Sequence, residues 1–255
     1  MRFLLCLFFF LFFSLSSTDY AATADDFAFP PPKTDALPAP DSLWATYYYV
    51  HTAVEAESGL PYRDMKGAAL TRNISLRDWC LGAIEGTIQV ISPEGSKTLN
   101  FAGTLSKAQV DCATVLKIDP SKRPWITSVG KSAFASAHGT YGDGVDGYQL
   151  VPWRTVAVDP TKIPVGSVVY IPAARGLPVT VAPGTTIKHD GYFFAADGGG
   201  AIKGSHIDVF CGASASNCLP AIASGSDTHP FTAYRIQDST IANALRALHL
   251  PTHTP

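Results

Sequence analysis

The chain has 255 residues, of which 46% are hydrophobic and 16% charged, with 21 Gly, 19 Pro and a formal net charge of −2. So little charge excludes a disordered acidic or basic tail protein and leaves no basic excess for nucleic-acid binding. The length allows one large all-β domain or two smaller ones around an ample core, and the Gly and Pro content favours turns over long helices.

Met1 to Ser17 reads MRFLLCLFFFLFFSLSS, with Arg2 ahead of an apolar run from Phe3 to Leu15, and Ala22-Thr23-Ala24 then supplies a small-residue cleavage pattern. This is the layout of a secretory signal peptide over residues 1–24. The run of about 13 residues is shorter than the roughly 20 that span a bilayer, so an uncleaved anchor is the weaker reading and no integral membrane span is expected after cleavage. Residues 25–42 contain FAFPPPKTDALPAPD, with five prolines and no apolar period, and read as a Pro-rich linker.

The folded body is expected to begin at Leu43, with WATYYYV (44–50) as its first strand. Ser75-Leu76-Arg77-Asp78 has the pattern of a helix N-terminal cap, so a helix is predicted from Leu76 to Glu85, stopped by Gly86 and packing Leu76, Cys80 and Ile84 inward. TIQVI (87–91) and Thr98 to Ala102 flank the turn Pro93-Glu94-Gly95 and predict a hairpin. From Arg154 onward the strands are dense: RTVAVD (154–159), GSVVYIP (166–172), GYFFAAD (191–197), HIDVF (206–210) and TAYRIQ (232–237). Ile241, Leu245 and Leu248 then recur at helical spacing and place a C-terminal helix and tail at 239–255. Short strands at this density predict a closed barrel over 151–238, preceded by an N-terminal part, 43–150.

Cys6 lies within the signal, which leaves Cys80, Cys112, Cys211 and Cys218. An even number in an exported chain predicts disulfides. Three pairings are possible, and the split into two distant pairs favours Cys80 with Cys112 and Cys211 with Cys218. No two of them have the close spacing of structural zinc ligands, so no metal is expected. Gly142, Gly144 and Gly147 satisfy G-x-G-x-x-G without a strand–turn–helix frame, and no HExxH or G-x-S-x-G occurs. No cofactor is expected.

The chemistry concentrates in YFFAADGGGAIKGSHIDVFCG (192–212). Asp197 follows four apolar residues and Asp208 lies between Ile207 and Val209, so each carboxylate either faces solvent or is desolvated with a raised pKa. Between them Gly198 to Gly204 holds four glycines in seven residues, as expected where backbone approaches a ligand closely. Asp159 closes TVAVD in the same manner. VAVDPTKIPVGSVVYIP followed by HDGYFFAADGGGAIKGSHIDVFCG resembles the three-aspartate (3D) domain of the lytic murein transglycosylase A family, strongly over 154–212. The upstream segments EGTIQV, EGSKTLNFAG and YQLVPWRT resemble that family's N-terminal half more weakly.

The resemblance implies a mainly β fold: a double-psi β-barrel with a second small β-domain and short helices, and a groove between the domains for a glycan strand. It implies Asp208 as the single catalytic acid/base and Asp197 as its support. Two positions depart from the family pattern: D-[TV]-G-G becomes Asp197-Gly198-Gly199, and YYTP becomes Tyr47-Tyr48-Tyr49-Val50, without the Thr expected to bind substrate.

One carboxyl suffices for such an enzyme because the sugar's own 6-hydroxyl is an intramolecular nucleophile, giving a 1,6-anhydro product. Asp159, Lys203, Gly199, Gly200, Glu85, Gln89 and Tyr48 are the expected substrate contacts. His189 and His206 are expected to be structural, and Trp125 and Trp153 are core residues by default.

The leading expectation is thus an exported, monomeric peptidoglycan lytic transglycosylase of the periplasm or cell envelope, with glycan strands as partner and no nucleic acid. The alternative is a non-catalytic, expansin-like cell-wall glycan-binding barrel. An aspartic peptidase is a remote third, since Asp197-Gly198-Gly199 supplies one active-site turn where a monomeric peptidase needs two.

Overall fold

The computed structural model describes residues 23–182 and 184–251. The expected export signal lies outside them apart from Thr23 and Ala24, as does the end of the C-terminal tail, 252–255. Among the described residues no helix is long and apolar enough to cross a membrane.

The chain enters through β1 (Asp41–Tyr48) and crosses into a separate sheet of β2 (His51–Leu60), β3 (Thr87–Ser92), β4 (Gly95–Thr104) and β5 (Ser132–Ser136). Set among these strands are α1 (Leu76–Glu85), α2 (Cys112–Leu116) and α3 (Ile126–Val129). The chain then returns with β6 (Thr155–Ala157) and β7 (Val168–Tyr170) and makes a side ribbon of β8 (Pro178–Ala182) and β9 (Thr185–Lys188). It continues with β10 (Tyr192–Asp197), β11 (His206–Phe210) and β12 (Phe231–Ile236) and ends in α4 (Ser239–His249). Strands β1, β11, β6, β10, β7 and β12 close, in that order, into a barrel of mixed sense. The result is the expected mainly β architecture, a closed six-stranded barrel with a second small β-domain inserted between its first and second strands.

Alternate residues of the barrel strands, among them Ala45, Val156, Val169, Phe193, Ala195, Ile207 and Val209, fill its interior. The opposite face of β10, Tyr192, Phe194 and Ala196, is covered by Ile241 and Leu245 of α4. Burial on both faces explains why β10 reads as an unbroken apolar run instead of an alternating one.

In the second sheet β3 and β4 form the predicted hairpin, and α1 has the predicted ends. Ser75 accepts the amide of Asp78, and Gly86 closes the helix at φ +79°, a conformation that favours glycine. Its inward stripe is rotated from the expected one. Trp79, stacked on Tyr62 at 5.3 Å, is fully buried with Cys80, whereas Leu76 is 41% exposed and Ile84 only partly covered. Gly82 and Ala83 complete the buried face. Both favoured disulfides, Cys80–Cys112 and Cys211–Cys218, are present.

The Pro-rich stretch is not a free spacer. Phe27 is 4% exposed in the barrel core, the Arg154 guanidinium lies 4.0 Å over its ring, Phe29 N–H donates to Asp190, and Tyr192 donates to the carbonyl of Pro30. The buried Arg154–Asp190 ion pair, 2.7 Å, supplies the fixed polar anchors for this strap. The folded body therefore begins at Phe27, ahead of the expected Leu43.

Candidate active site

Asp208, on β11, pairs in register with Thr46 of β1 on one side and Ala157 of β6 on the other. Because Ile207 and Val209 point into the barrel, Asp208 faces outward, toward the second domain. Asp197 ends β10. Simple alternation from Phe193 and Ala195 would turn it inward, but two residues of β10 oppose one of β6 between Ala195 and Asp197, and this bulge brings Asp197 level with Ala157. The bulge moves the carboxylate to the outer face. Both aspartates thus flank Ala157, their Cα atoms two strand spacings or about 10 Å apart.

The side chains are held individually. Thr46 Oγ1 donates to Asp208 Oδ1 at 2.7 Å and also meets His206 Nε2 at 2.8 Å, while His206 stacks on Trp44 at 3.8 Å. Tyr48 O–H donates to Asp197 Oδ2 at 2.7 Å, and Gly198 N–H to its Oδ1 at 2.8 Å. Among the described residues neither aspartate forms an ion pair with a cation.

Burial therefore dominates. It pushes Asp208 up to about 7, against the Thr46 hydrogen bond and helped by the negative charge of Asp197. It pushes Asp197 up to about 6, against its two donors. The Tyr48 phenol is raised well above its ordinary value by burial and by Asp197, so it remains a neutral donor.

A cleft of about 800 Å³ runs between the two domains. Tyr48, Asp197, Gly198, Gly199 and Gly200 line its barrel side, and Glu85, Gly86, Thr87, Asn100 and Phe101 line the side of the second sheet, with Asp143 and Gly144 at its edge. Among the described residues no cationic side chain lines it. Asn100 fixes the edge by donating to Thr87 and to the carbonyl of Asp143 while accepting the Asp143 amide.

Of the expected contacts, Tyr48, Glu85, Gly199 and Gly200 meet at this cleft with Asp197, and Asp208 lies close enough to Glu85 to raise its pKa electrostatically. Asp159 is placed differently. Its carboxylate accepts Gly204 N–H at 2.8 Å and both the amide and the hydroxyl of Thr161, which hold it down at about 2. It buckles the glycine loop to the end of β6. Lys203 is exposed beside it, and Gln89 sits within the second sheet between Thr52 and Thr98, so neither lines the cleft.

His189 is structural: it donates to the carbonyl of Trp153 and accepts Gly191 N–H, and burial pushes it down to about 4. Trp153 packs against the barrel core, whereas Trp125 is 46% exposed. Sequence reasoning missed Thr46 and the part of His206 in the Thr46–Asp208 chain. The parallel pairing of β1 with β11, which joins them, is a contact 162 residues long that no local pattern announces.

Residues 154–219 match the family model of the 3D domain. A comparison with curated proteins finds no significant match. Among solved structures the chain is similar to E. coli MltA with bound chitohexaose, at 18% identity and a TM-score of 0.49 over 76% of this chain and 71% of that one. It is similar to a membrane-bound lytic murein transglycosylase from Agrobacterium tumefaciens, at 15% identity and 0.47 over 76% and 74%. A third is the lytic transglycosylase LtgG of Burkholderia pseudomallei, at 19% identity and 0.38 over 77% and 70%. The chain thus carries a 3D domain and has structural similarity to lytic transglycosylases over about three quarters of its length.

Proposed function

We propose that the protein is an exported peptidoglycan lytic transglycosylase that cleaves the MurNAc–GlcNAc β-1,4 bond to a 1,6-anhydro product. The observation that carries this reading is the pairing of Asp208 and Asp197: two uncompensated carboxyls, level with each other, on an outward barrel face beside an interdomain cleft. A carboxyl raised to about 7 is substantially protonated at neutral pH and serves as a general acid. Asp208 protonates the glycosidic oxygen as the C1–O bond breaks, then takes the proton of the 6-hydroxyl as that oxygen closes on C1. The proton lost in the first half is regained in the second, so one carboxyl completes the cycle. Thr46 fixes Oδ1 of Asp208, and Asp197, oriented by Tyr48, raises the acid's proton affinity and stabilises positive charge developing at C1.

The two disulfides suit an extracytoplasmic compartment, and the periplasm or cell envelope is the location proposed. A cleft that no cationic side chain lines among the described residues suits an uncharged sugar backbone, and peptidoglycan glycan strands are the proposed partner. Digestion of purified peptidoglycan with product analysis by mass spectrometry tests the reading. Anhydro-muropeptides are expected from the wild type and should fall by about 1,000-fold or more in Asp208→Asn. Glycan binding without cleavage would instead establish the expansin-like alternative.

A further inference from the structure

Glu85 has no task in a mechanism that needs one carboxyl and an internal nucleophile, yet the fold delivers it to the cleft. It is the last residue of α1, and Gly86 turns the chain directly behind it into β3. A carboxylate there faces the negative end of the helix dipole, and the last turn of α1 holds no basic residue to offset it. Among the described residues Glu85 has no ion-pair partner. What holds it is the link between the domains: Tyr49 N–H donates to Glu85 Oε2 at 3.3 Å, while the adjacent Tyr48 donates to Asp197. One dipeptide, Tyr48-Tyr49 at the end of β1, thus grips a carboxyl from each wall of the same cleft.

We propose that Glu85, in the cleft, is a second acid–base carboxyl beside Asp208 that activates water, and that the protein also hydrolyses its glycan to products with new reducing ends. The proposal rests on the reading of Asp208 as the acid. Burial, and secondarily the charge of Asp208, push Glu85 up to about 7 against the Tyr49 hydrogen bond, so near neutral pH the state with one of the pair protonated and the other ionised is well populated. In its form with Asp208 protonated and Glu85 ionised, the proton of Asp208 passes to the glycosidic oxygen as the C1–O bond breaks, the oxygen of water bonds to C1, and the released proton of water goes to Glu85. One water is consumed, and exchange of one proton with solvent restores both carboxyls.

The test uses peptidoglycan whose existing reducing ends have been blocked with borohydride, so that each new reducing end reports water and each anhydro end reports the internal hydroxyl. The wild type is expected to form both, and Glu85→Gln to lower the ratio of reducing to anhydro ends about 100-fold. Glu85→Asp, which keeps a carboxyl, is expected to recover part of that ratio. Anhydro ends alone from the wild type, or an unchanged ratio in Glu85→Gln, overturn the proposal and leave transglycosylation standing. Absence of both kinds of end overturns both readings.

Discussion

Asp208 and Asp159 both interrupt or close apolar strands, yet their environments push them in opposite directions. Asp159 has three donors and is held at about 2, whereas Asp208 has one donor, a like charge nearby and buried surroundings, and rises to about 7. For a raised carboxyl the folded state keeps a proton that the unfolded chain releases near pH 4. Its contribution to stability is therefore most favourable below that pH and declines as pH rises toward 7. Asp208→Asn, which removes the charge and keeps the shape, should stabilise the fold at pH 8 by about 1 to 3 kcal/mol and have little effect at pH 4. Thermal melts at the two pH values check this; equal shifts at both would show that desolvation of Asp208 is not what costs stability. The same titration should end the alkaline side of the activity profile: log(kcat/KM) should fall with unit slope above about pH 7 as the acid form is lost.

At the scale of elements, the loop from Gly198 to Gly204 places backbone along the cleft, and its glycines supply little stiffness of their own. Asp159, which accepts Gly204 N–H across 45 residues, orders it together with the buried Ile202 and the bond from Ile202 N–H to the carbonyl of Gly199. Asp159→Asn weakens that buckle by removing the charge. Amides of the loop should then exchange hydrogen faster while those of the barrel strands do not, and turnover should fall about tenfold or more through misplacement of Gly199 and Gly200. Unchanged loop exchange would mean that the ends of β10 and β11 alone hold the loop. The bulge in β10 is the second such device, since it turns Asp197 outward within a strand whose preceding residues stay buried.

At the scale of the whole molecule, two β-domains meet at a cleft and a strap closes the barrel away from it. The strap is anchored where Phe27 lies under Arg154, itself paired with Asp190. Phe27→Ala should remove about 3 kcal/mol through the lost burial and the cavity left behind, read as a lower urea midpoint with an unchanged slope. A stability change under about 0.5 kcal/mol would show that the Pro-rich segment adds nothing to the fold.

Local chemistry was enough for much of this protein. The cap at Ser75 and the stop at Gly86 determined α1, unbroken or alternating apolar runs located β3, β4, β7, β10, β11 and β12, and the aspartates with their glycine loop pointed to the candidate site. The pattern was silent on β2, an edge strand where only Ala53 is buried, and on the strap, where proline-rich composition concealed a core phenylalanine. Tertiary structure alone decided that Thr46 meets Asp208, that Asp197 turns outward, that Asp159 serves the loop, and that Glu85 lines the cleft while Gln89 does not. Strand and helix formation follows from neighbours a few residues away, whereas a carboxyl's proton affinity depends on what surrounds it in space, and here those surroundings come from segments more than 100 residues apart.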